Sequence, residues 1–583
     1  MRRIVIFFTL LIFFMGSLKG QTLFIEAESF TDKGGWVVDQ QSMESMGSSY
    51  LMAHGLGVPV KNARTIVDVP EEGDYRVWVR TRNWAAPWNP EDDPPGKFLL
   101  FFNNELLTNT IFGTKGAEWH WQDGGVVSLN KGSVELALHD MTGFNGRCDA
   151  IVLTKEDFTP PNDLTTLSQF RKEKLGFDGP VHQGKYDLVV VGGGMAGMTT
   201  AVTAARLGNK VALIQNRPVL GGNNSSEVRV GLSGLIYKDP YPFLGSVVDE
   251  LGPTGHWTNY EARRDPEAER SKRILEILEE HPEKLIHNAG PKSNYEDERK
   301  IAYIRDEENV DLFLNTHVFD VRMDGDRITA VIAKDINTGE ESIFEGTLFA
   351  DCTGDATVGF LAGADYRVGR ESRSETGEKS APDEAGNMVM GTSVQWYSDE
   401  LAEPSLFPET PWAIQFTEET SQKLTRGDWQ WEAGLHSDQI LEIEYIRDHA
   451  LRAIYGNWSF LKNRSEEKER FANLQLSWVA YIGGKRESRR LMGDVILMEQ
   501  DVLNQVPYDD ASFTTTWPID LHYPDPVEGL EHEEPFLSIA KTESIEPYAV
   551  PYRTLYSRNI DNLFMAGRNI SVTHVALGTI RVM

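Results

Sequence analysis

Gly192, Gly194 and Gly197 stand at Gly-x-Gly-x-x-Gly spacing directly after the apolar run Tyr186-Asp187-Leu188-Val189-Val190-Val191. Each glycine has its own reason to be there. The first permits a tight turn, the second lets the backbone approach a pyrophosphate, and the third lets a helix pack close to the strand. Met195 to Leu207, rich in Ala, Thr and Met, reads as that helix, with Gly208 as its stop. Its N-terminal N–H groups and positive dipole end would face the phosphates, with Gly193, Met195 and Ala196 completing the turn. A second strand, Lys210 to Ile214, follows. A lone glycine motif is weak; strand, turn, helix and strand in this order favour a dinucleotide site over a plain glycine-rich turn. An acidic residue normally ends the second strand and binds ribose hydroxyls. Gln215 stands there instead; its amide can still hydrogen-bond a diol, without charge, which predicts a kept but weakened ribose contact.

Other residues could do chemistry. Arg486, Glu487, Arg489 and Arg490 follow Gly483-Gly484, and Arg486 and Arg489 could grip an acidic substrate bidentately. A solvated helix face with internal ion pairs is the alternative. Trp84, Trp88, Trp119 and Trp121 could stack on the apolar face of a sugar, or pack in a core. The same two readings hold for Trp412, Trp429 and Trp431. His574 is the first candidate for a proton acceptor, because histidine titrates near neutrality; a structural histidine bonding the backbone is the alternative. His256, His436 and His522, with Trp257, are unranked candidates.

The elements that position these residues divide the chain. Residues 21–155 read as all-β: Tyr75, Val77 and Val79 alternate with Arg76, Trp78 and Arg80, and Val134, Leu136 and Leu138 repeat the pattern. Turn formers such as Glu72-Gly73-Asp74 and Asp123-Gly124-Gly125 separate these runs, which predicts a jelly-roll-like sandwich. Residues 156–185, with Pro160-Pro161-Asn162-Asp163 and the charged run Arg171 to Lys174, read as a linker. Residues 186–365 read as the first part of a Rossmann-type α/β domain, 366–545 as an inserted α+β cap, and 546–583 as the last part of the α/β domain.

Arg2 and Arg3 precede the apolar run Ile4 to Met15, and Gly16, Ser17 and Gly20 follow. This predicts a signal peptide over residues 1–20 and a periplasmic or secreted protein; an uncleaved anchor is the alternative. No other stretch is long and apolar enough for a stable membrane span once the signal is removed. Lys plus Arg number 57 and Asp plus Glu 88, a net charge of −31, which argues against a nucleic-acid partner. Only Cys148 and Cys352 are present, too few for an iron–sulfur cluster or a zinc site built on several cysteines.

Four blocks together resemble the FAD-dependent oxidoreductases with a glutathione-reductase-type FAD domain. They are Val189 to Gly197, Arg217 to Asn224, Ala350-Asp351-Cys352-Thr353-Gly354-Asp355, and Asn562 to Arg568. The resemblance implies FAD beside Gly221, Gly222 and Asn223, Thr353, Gly354 and Asp355, and Gly567 and Arg568. Strands at Asn315 to Val321, Arg327 to Ala333 and Glu340 to Phe349 resemble the family's β-meander, with Val318 at the adenine position. Arg568, Pro551-Tyr552-Arg553 and Thr573 to Gly578 look closest to the subgroup of the heterodisulfide reductase flavin subunit, whose clusters the cysteine count forbids. The family's C-terminal helix, facing the flavin's pyrimidine edge, is expected just beyond Met583. The sequence is therefore read as a fragment, with its grip on FAD open.

Glu26-Ala27-Glu28 and Asp149 to Thr154 resemble the opening and closing segments of carbohydrate-binding β-sandwiches, which implies a glycan ligand and calcium near the early Glu. The residues themselves assign no metal ligand set. The expectation is an exported FAD-dependent oxidoreductase that oxidises a carbohydrate or glycoside hydroxyl, with His574 as base. The electron acceptor is open, and no second nucleotide fingerprint points to NAD(P)H. The alternatives are a flavin-dependent glycoside-cleaving lyase without net redox change, and a sugar-binding surface protein with a vestigial flavin domain.

Overall fold

The computed structural model describes residues 22–89, 93–106, 110–232, 234–251, 266–282, 286 and 288–581. The expected signal segment, His256 and Trp257 lie outside the described residues. Tyr75, Val77 and Val79 are buried on one face of the strand Gly73–Thr81, as the alternation predicts. That strand sits in an antiparallel four-stranded sheet in the order Thr22–Glu26, Ala150–Thr154, Gly73–Thr81, His120–Leu129. A second antiparallel sheet, Ala63–Val69, Gly132–Asp140, Phe98–Phe102, Glu105–Leu106, faces it across a core that includes Leu136, Leu138, Ile151 and Leu153. Phe144–Cys148, Tyr50–His54 and Val37–Asp39 form a third, smaller sheet. The architecture is an antiparallel β-sandwich.

The segment expected as a linker carries a helix, Leu164–Leu175. Asp163 caps it by accepting the Thr166 N–H at 3.0 Å, and Gly176 closes it in the left-handed region. Leu167 of this helix packs with Phe24, Trp78, Trp121 and Val152. The outer face of the first sheet is therefore covered, and Trp78 and Arg80, which alternate with Val77 and Val79, are buried as well.

The α/β domain is built on a mixed seven-stranded sheet. Its order is Val310–Phe313, Val211–Ile214, Val181–Val191, Glu341–Asp351, Arg327–Asp335, Thr316–Asp324, with Leu563–Met565 also pairing with Glu341–Asp351. The strands from 181, 211, 310, 341 and 563 run parallel, and those from 316 and 327 complete the antiparallel meander. The central strands are apolar in continuous runs because both faces are covered, with the helix Met195–Arg206 on one side. A helix spans His574–Ile580 immediately after the Gly567 turn, where the sequence reading placed none before Met583.

The cap region consists of two- and three-stranded ladders around the 21-residue helix Ile443–Asn463, which is buried nearly throughout. Its partner on one side is the sandwich. Trp84 and Phe144 pack against Trp412, with ring centroids 5.1 Å away in both cases. Buried Glu444 receives Arg82 at 2.9 Å, Arg147 at 2.6 Å and the Trp119 indole N–H at 3.1 Å, and Arg147 also pairs with Asp448. Arg447 pairs with Asp39. Charges this deeply buried are tolerated only when paired and hydrogen-bonded, so this interface is specific in geometry. Among the described residues no helix is long and apolar enough to cross a membrane.

Candidate active site

Gly192 adopts φ 103°, and a Cβ there would lie 2.3 Å from the Cys352 carbonyl oxygen. A Cβ on Gly197 would lie 1.8 Å from the Gly192 carbonyl oxygen, so helix and strand touch through backbone alone. Gly194 differs: its Cβ would meet only the Gly222 Cα, at 3.8 Å. The space beside it is open, and no side chain caps the helix that starts at Met195. Helix N–H groups left without a side-chain acceptor beside open space are what a pyrophosphate needs.

The turn opens on a cavity of about 560 Å³, within the roughly 300–1,000 Å³ range of ligand sites. Gly192, Gly194, Met195, Ala196, Gln215, Gly221, Gly222, Asn223, Val318, Thr353, Gly354, Asp355, Gly567 and Arg568 all line it. Gly193 and Gly197 stand behind the wall. Five cationic side chains (Arg217, Lys485, Arg486, Arg568 and Arg581) line it against the carboxylates of Glu44, Asp355 and Asp520. A chain of net charge −31 has thus gathered a local cationic excess around a turn suited to a diphosphate. On these observations the residues fit FAD.

Gln215 departs from the ribose reading. Its Oε1 accepts the Gly193 N–H at 2.8 Å and its Nε2 donates to the Val219 carbonyl at 3.0 Å. Both ends of the amide brace the turn. Asp355 is held by Lys485, by Ser488 Oγ at 2.8 Å and by Arg568 at 3.4 Å. Burial opposes its ionisation, but Lys485 and Arg568 outweigh burial and hold its carboxyl below the usual range. His317 also lines the cavity, and burial pushes its imidazole down to about 4.

The far end of the cavity is lined by Ser393, Gln395, Trp429, Arg486, Trp517, Asp520, His522 and Arg581. His522 Nδ1 lies 2.5 Å from Glu432 Oε2, and its Nε2 lies 3.5 Å from Asp520 Oδ2. Glu432 also accepts from the Gly391 N–H at 2.5 Å and Ser538 Oγ at 2.6 Å, and pairs with Arg486 at 3.3 Å. Burial alone would raise its carboxyl, yet Arg486 and His522 hold it down at about 2. Arg486 is fixed further by Ser393 Oγ at 2.7 Å and the Trp429 carbonyl at 3.0 Å. The imidazole thus lies between two carboxylates, Glu432 at Nδ1 and Asp520 at Nε2. Asp520 Oδ1 and Trp517 Nε1 are buried without a hydrogen-bond partner.

Several expected site residues lie elsewhere. His574 is buried outside the cavity lining, with Nδ1 on Glu487 at 2.8 Å and its backbone N–H on Glu371 at 3.0 Å; it braces the start of its helix. Arg489 lies over the Phe360 ring at 3.7 Å and does not line the cavity. His436 is exposed and also outside it. Trp84 and Trp119 are buried in the interface with the cap, and Trp88 stacks on Tyr445 with centroids 4.6 Å apart. None of the three presents a free face to a sugar. Trp412 and Trp431 are core, and Trp429 alone of that group lines the cavity. Sequence reasoning missed Lys485, Glu432, Asp520, Trp517 and Arg581. Lys485 adjoins Arg486, which is a signal, but Glu432, Asp520 and Arg581 are brought together only by folding.

Glu26, Glu28 and Asp149 lie within 4.8 Å of one another and are buried. Asp149 already takes Arg80 at 2.8 Å and Arg171 at 2.5 Å. Glu26 Oε2 and Glu28 Oε2 have no hydrogen-bond partner, so two oxygens suited to a hard cation remain. Burial pushes the Glu26 carboxyl up to about 7 against the pull of Arg171.

The profile of the family described as FAD dependent oxidoreductase matches residues 187–583. The chain belongs to this family. The family implies FAD as cofactor, and the enzyme class is oxidoreductase. Among curated proteins, it is 34% identical over 149 residues to a digeranylgeranylglycerophospholipid reductase of Picrophilus torridus, covering 24% of this chain and 33% of that one. It is 55% identical over 38 residues to a soluble pyridine nucleotide transhydrogenase of Ectopseudomonas mendocina, 6% and 8% of the two chains. The chain thus spans a third or less of these relatives. Among solved structures, a family 35 carbohydrate-binding module from Clostridium thermocellum is similar at 15% identity and TM-score 0.18, covering 23% of this chain and 98% of that one. The myxobacterial halogenase CndH is similar at 17% identity and TM-score 0.23, covering 38% and 46%.

Proposed function

We propose that this FAD-dependent oxidoreductase is exported and oxidises a hydroxyl of a carbohydrate or glycoside, with His522 as the proton acceptor. The observation that carries the reading is that the His522–Glu432 pair shares one cavity with the Gly192 turn. FAD, when bound, supplies the acceptor for the two electrons of alcohol oxidation. This chain must supply orientation and a place for the hydroxyl proton. Glu432 orients the imidazole through Nδ1, and Nε2, beside Asp520, takes up the proton. Glu432 and Asp520 stabilise the imidazolium that results. Trp429 and Trp517 add aromatic walls beside the charged side chains of Arg486 and Asp520. A ring bearing several hydroxyls matches that set. Arg2, Arg3 and the apolar run Ile4 to Met15 support export, and the sandwich's likeness to carbohydrate-binding modules supports a glycan substrate.

The test is an absorbance spectrum of the purified chain, then anaerobic titration with a panel of glycosides. Bleaching of the flavin bands with stoichiometric formation of a keto-sugar is expected. Glycoside cleavage without net electron uptake would replace this reading with the lyase. A chain that takes up no FAD would end it.

A further inference from the structure

The β-sandwich reaches into the cavity. Gln40, Gln41 and Glu44, all on the segment after the strand Val37–Asp39, line it. Gln41 is an anchor: its Oε1 accepts the Gly483 N–H at 2.6 Å, and its Nε2 donates to the Tyr481 carbonyl at 2.8 Å. Those backbone groups belong to the stretch that continues into Lys485, which holds Asp355, and Arg486, which holds Glu432. Glu44 does something different. Its side chain presents surface to the cavity, and no described residue hydrogen-bonds or ion-pairs with its carboxylate. The residue is exposed, so its carboxylate is open to whatever enters the cavity. A carboxylate that no protein group claims is free to accept a hydrogen bond from a ligand hydroxyl. The cavity it faces is the one already read as holding FAD and a hydroxylated substrate.

We propose that the sandwich is a working wall of the catalytic cavity: Glu44 accepts a hydrogen bond from a hydroxyl of the bound ligand, and Gln41 positions the Lys485–Arg486 segment. The hydroxyl belongs to either of two occupants, the cofactor's ribose and ribityl groups or the sugar substrate, since both offer the same chemistry. The inference rests on the flavin reading above. It assigns the module a task other than tethering the enzyme to a polysaccharide.

The experiment uses the full chain as wild type, Glu44→Ala, Glu44→Gln and Gln41→Leu. FAD affinity is measured by titrating the flavin-stripped proteins, and KM and kcat by glycoside-driven bleaching. Hydrogen bonds to charged groups are the stronger kind, and losing one should weaken the ligand by about tenfold or more. If the cofactor is the partner, Glu44→Ala raises the Kd for FAD, and Glu44→Gln, which keeps an acceptor, recovers most of it. If the substrate is the partner, FAD affinity stays at the wild-type value, KM rises, and Glu44→Gln again recovers it. Gln41→Leu should lower kcat while the melting temperature stays near wild type. Glu44→Ala and Gln41→Leu that match wild type in FAD affinity, flavin spectrum, KM and kcat overturn the proposal. So does a loss that Glu44→Gln fails to recover and that tracks a lowered melting temperature. A wild-type chain that takes up no FAD refutes the flavin reading and this inference together, whereas a loaded wild type with indifferent variants refutes this inference alone.

Discussion

Replacing Glu26 by Gln should change the pH dependence of stability in a definite direction. Glu26 is buried beside Glu28 and Asp149, and burial lifts its carboxyl from 4.5 to about 7. Between those two pH values the folded protein holds a proton that the unfolded chain has released. Stability therefore falls as pH rises through the window. The interval from 4.5 to about 7, at 1.36 kcal/mol per pH unit, comes to about 3 kcal/mol. Glutamine imitates the protonated carboxyl and carries no charge to desolvate. Glu26→Gln should match wild type near pH 4.5 and exceed it by about 3 kcal/mol at pH 7.5. Urea unfolding in EDTA, followed by tryptophan fluorescence, reads this directly, because Trp78 and Trp121 pack with Phe24 of the same strand. Calcium should narrow the gap: a cation on Glu26 Oε2 and Glu28 Oε2 stabilises the ionised wild type and has less to hold in the variant. A difference between the two proteins that is flat from pH 4.5 to 7.5 in EDTA would refute the premise that Glu26 is buried as a neutral acid.

Gly194→Val should abolish flavin absorbance at full occupancy, since its side chain would fill the open space beside the helix start; retention of stoichiometric FAD would show that the pyrophosphate lies elsewhere. His522→Asn should slow substrate-driven bleaching by about 10²–10⁴-fold, the usual worth of a general base, while FAD occupancy holds; His574→Asn, outside the cavity, should slow it far less, and the reverse order would restore His574 as the base. Arg486→Ala should raise KM and impair turnover by releasing Glu432, whereas Arg489→Ala should leave both near wild type because Arg489 packs on Phe360; steady-state kinetics on the loaded enzymes decides.

The cofactor half of the cavity was legible because its residues are local in sequence. Gly192, Gly194 and Gly197 sit in one turn whose backbone demands are severe, so spacing carries the signal. Gly354, at φ 76°, and Gly567, at φ 102°, sit in comparable turns after parallel strands. The far end of the cavity was legible only in part. Arg486 and His522 were candidates, but Glu432, Arg486 and the strand Ile519–Pro524, which carries Asp520 and His522, are far apart in sequence, and nothing in their spacing announces that they meet. His574 looked better placed than His522 because it lies near the Gly567 turn. Yet proximity in sequence to a turn does not decide which way a helix faces, and its imidazole points to Glu487 instead.

The tryptophans show a further limit. For Trp84, Trp88 and Trp119 the sequence leaves two uses open, stacking on a sugar or packing in a core, and the fold places them at a surface of the sandwich. That surface is the interface with the cap. There Trp84 packs on Trp412, Trp88 on Tyr445, and the Trp119 indole donates to Glu444. Such aromatic residues suit an interface for the same reason that they suit a sugar: a broad apolar face with one polar edge. Composition cannot separate the two uses; only what lies opposite can. What lies opposite here is a buried set of ion pairs, Arg147 with Asp448 and Glu444, and Arg447 with Asp39. Removing either side would leave charges of the other without their partners. The sandwich and the flavin-binding part are therefore coupled through paired charge as well as apolar contact, and a substitution at Glu444 should be felt in the cavity wall that Gln41 and Glu44 help to build.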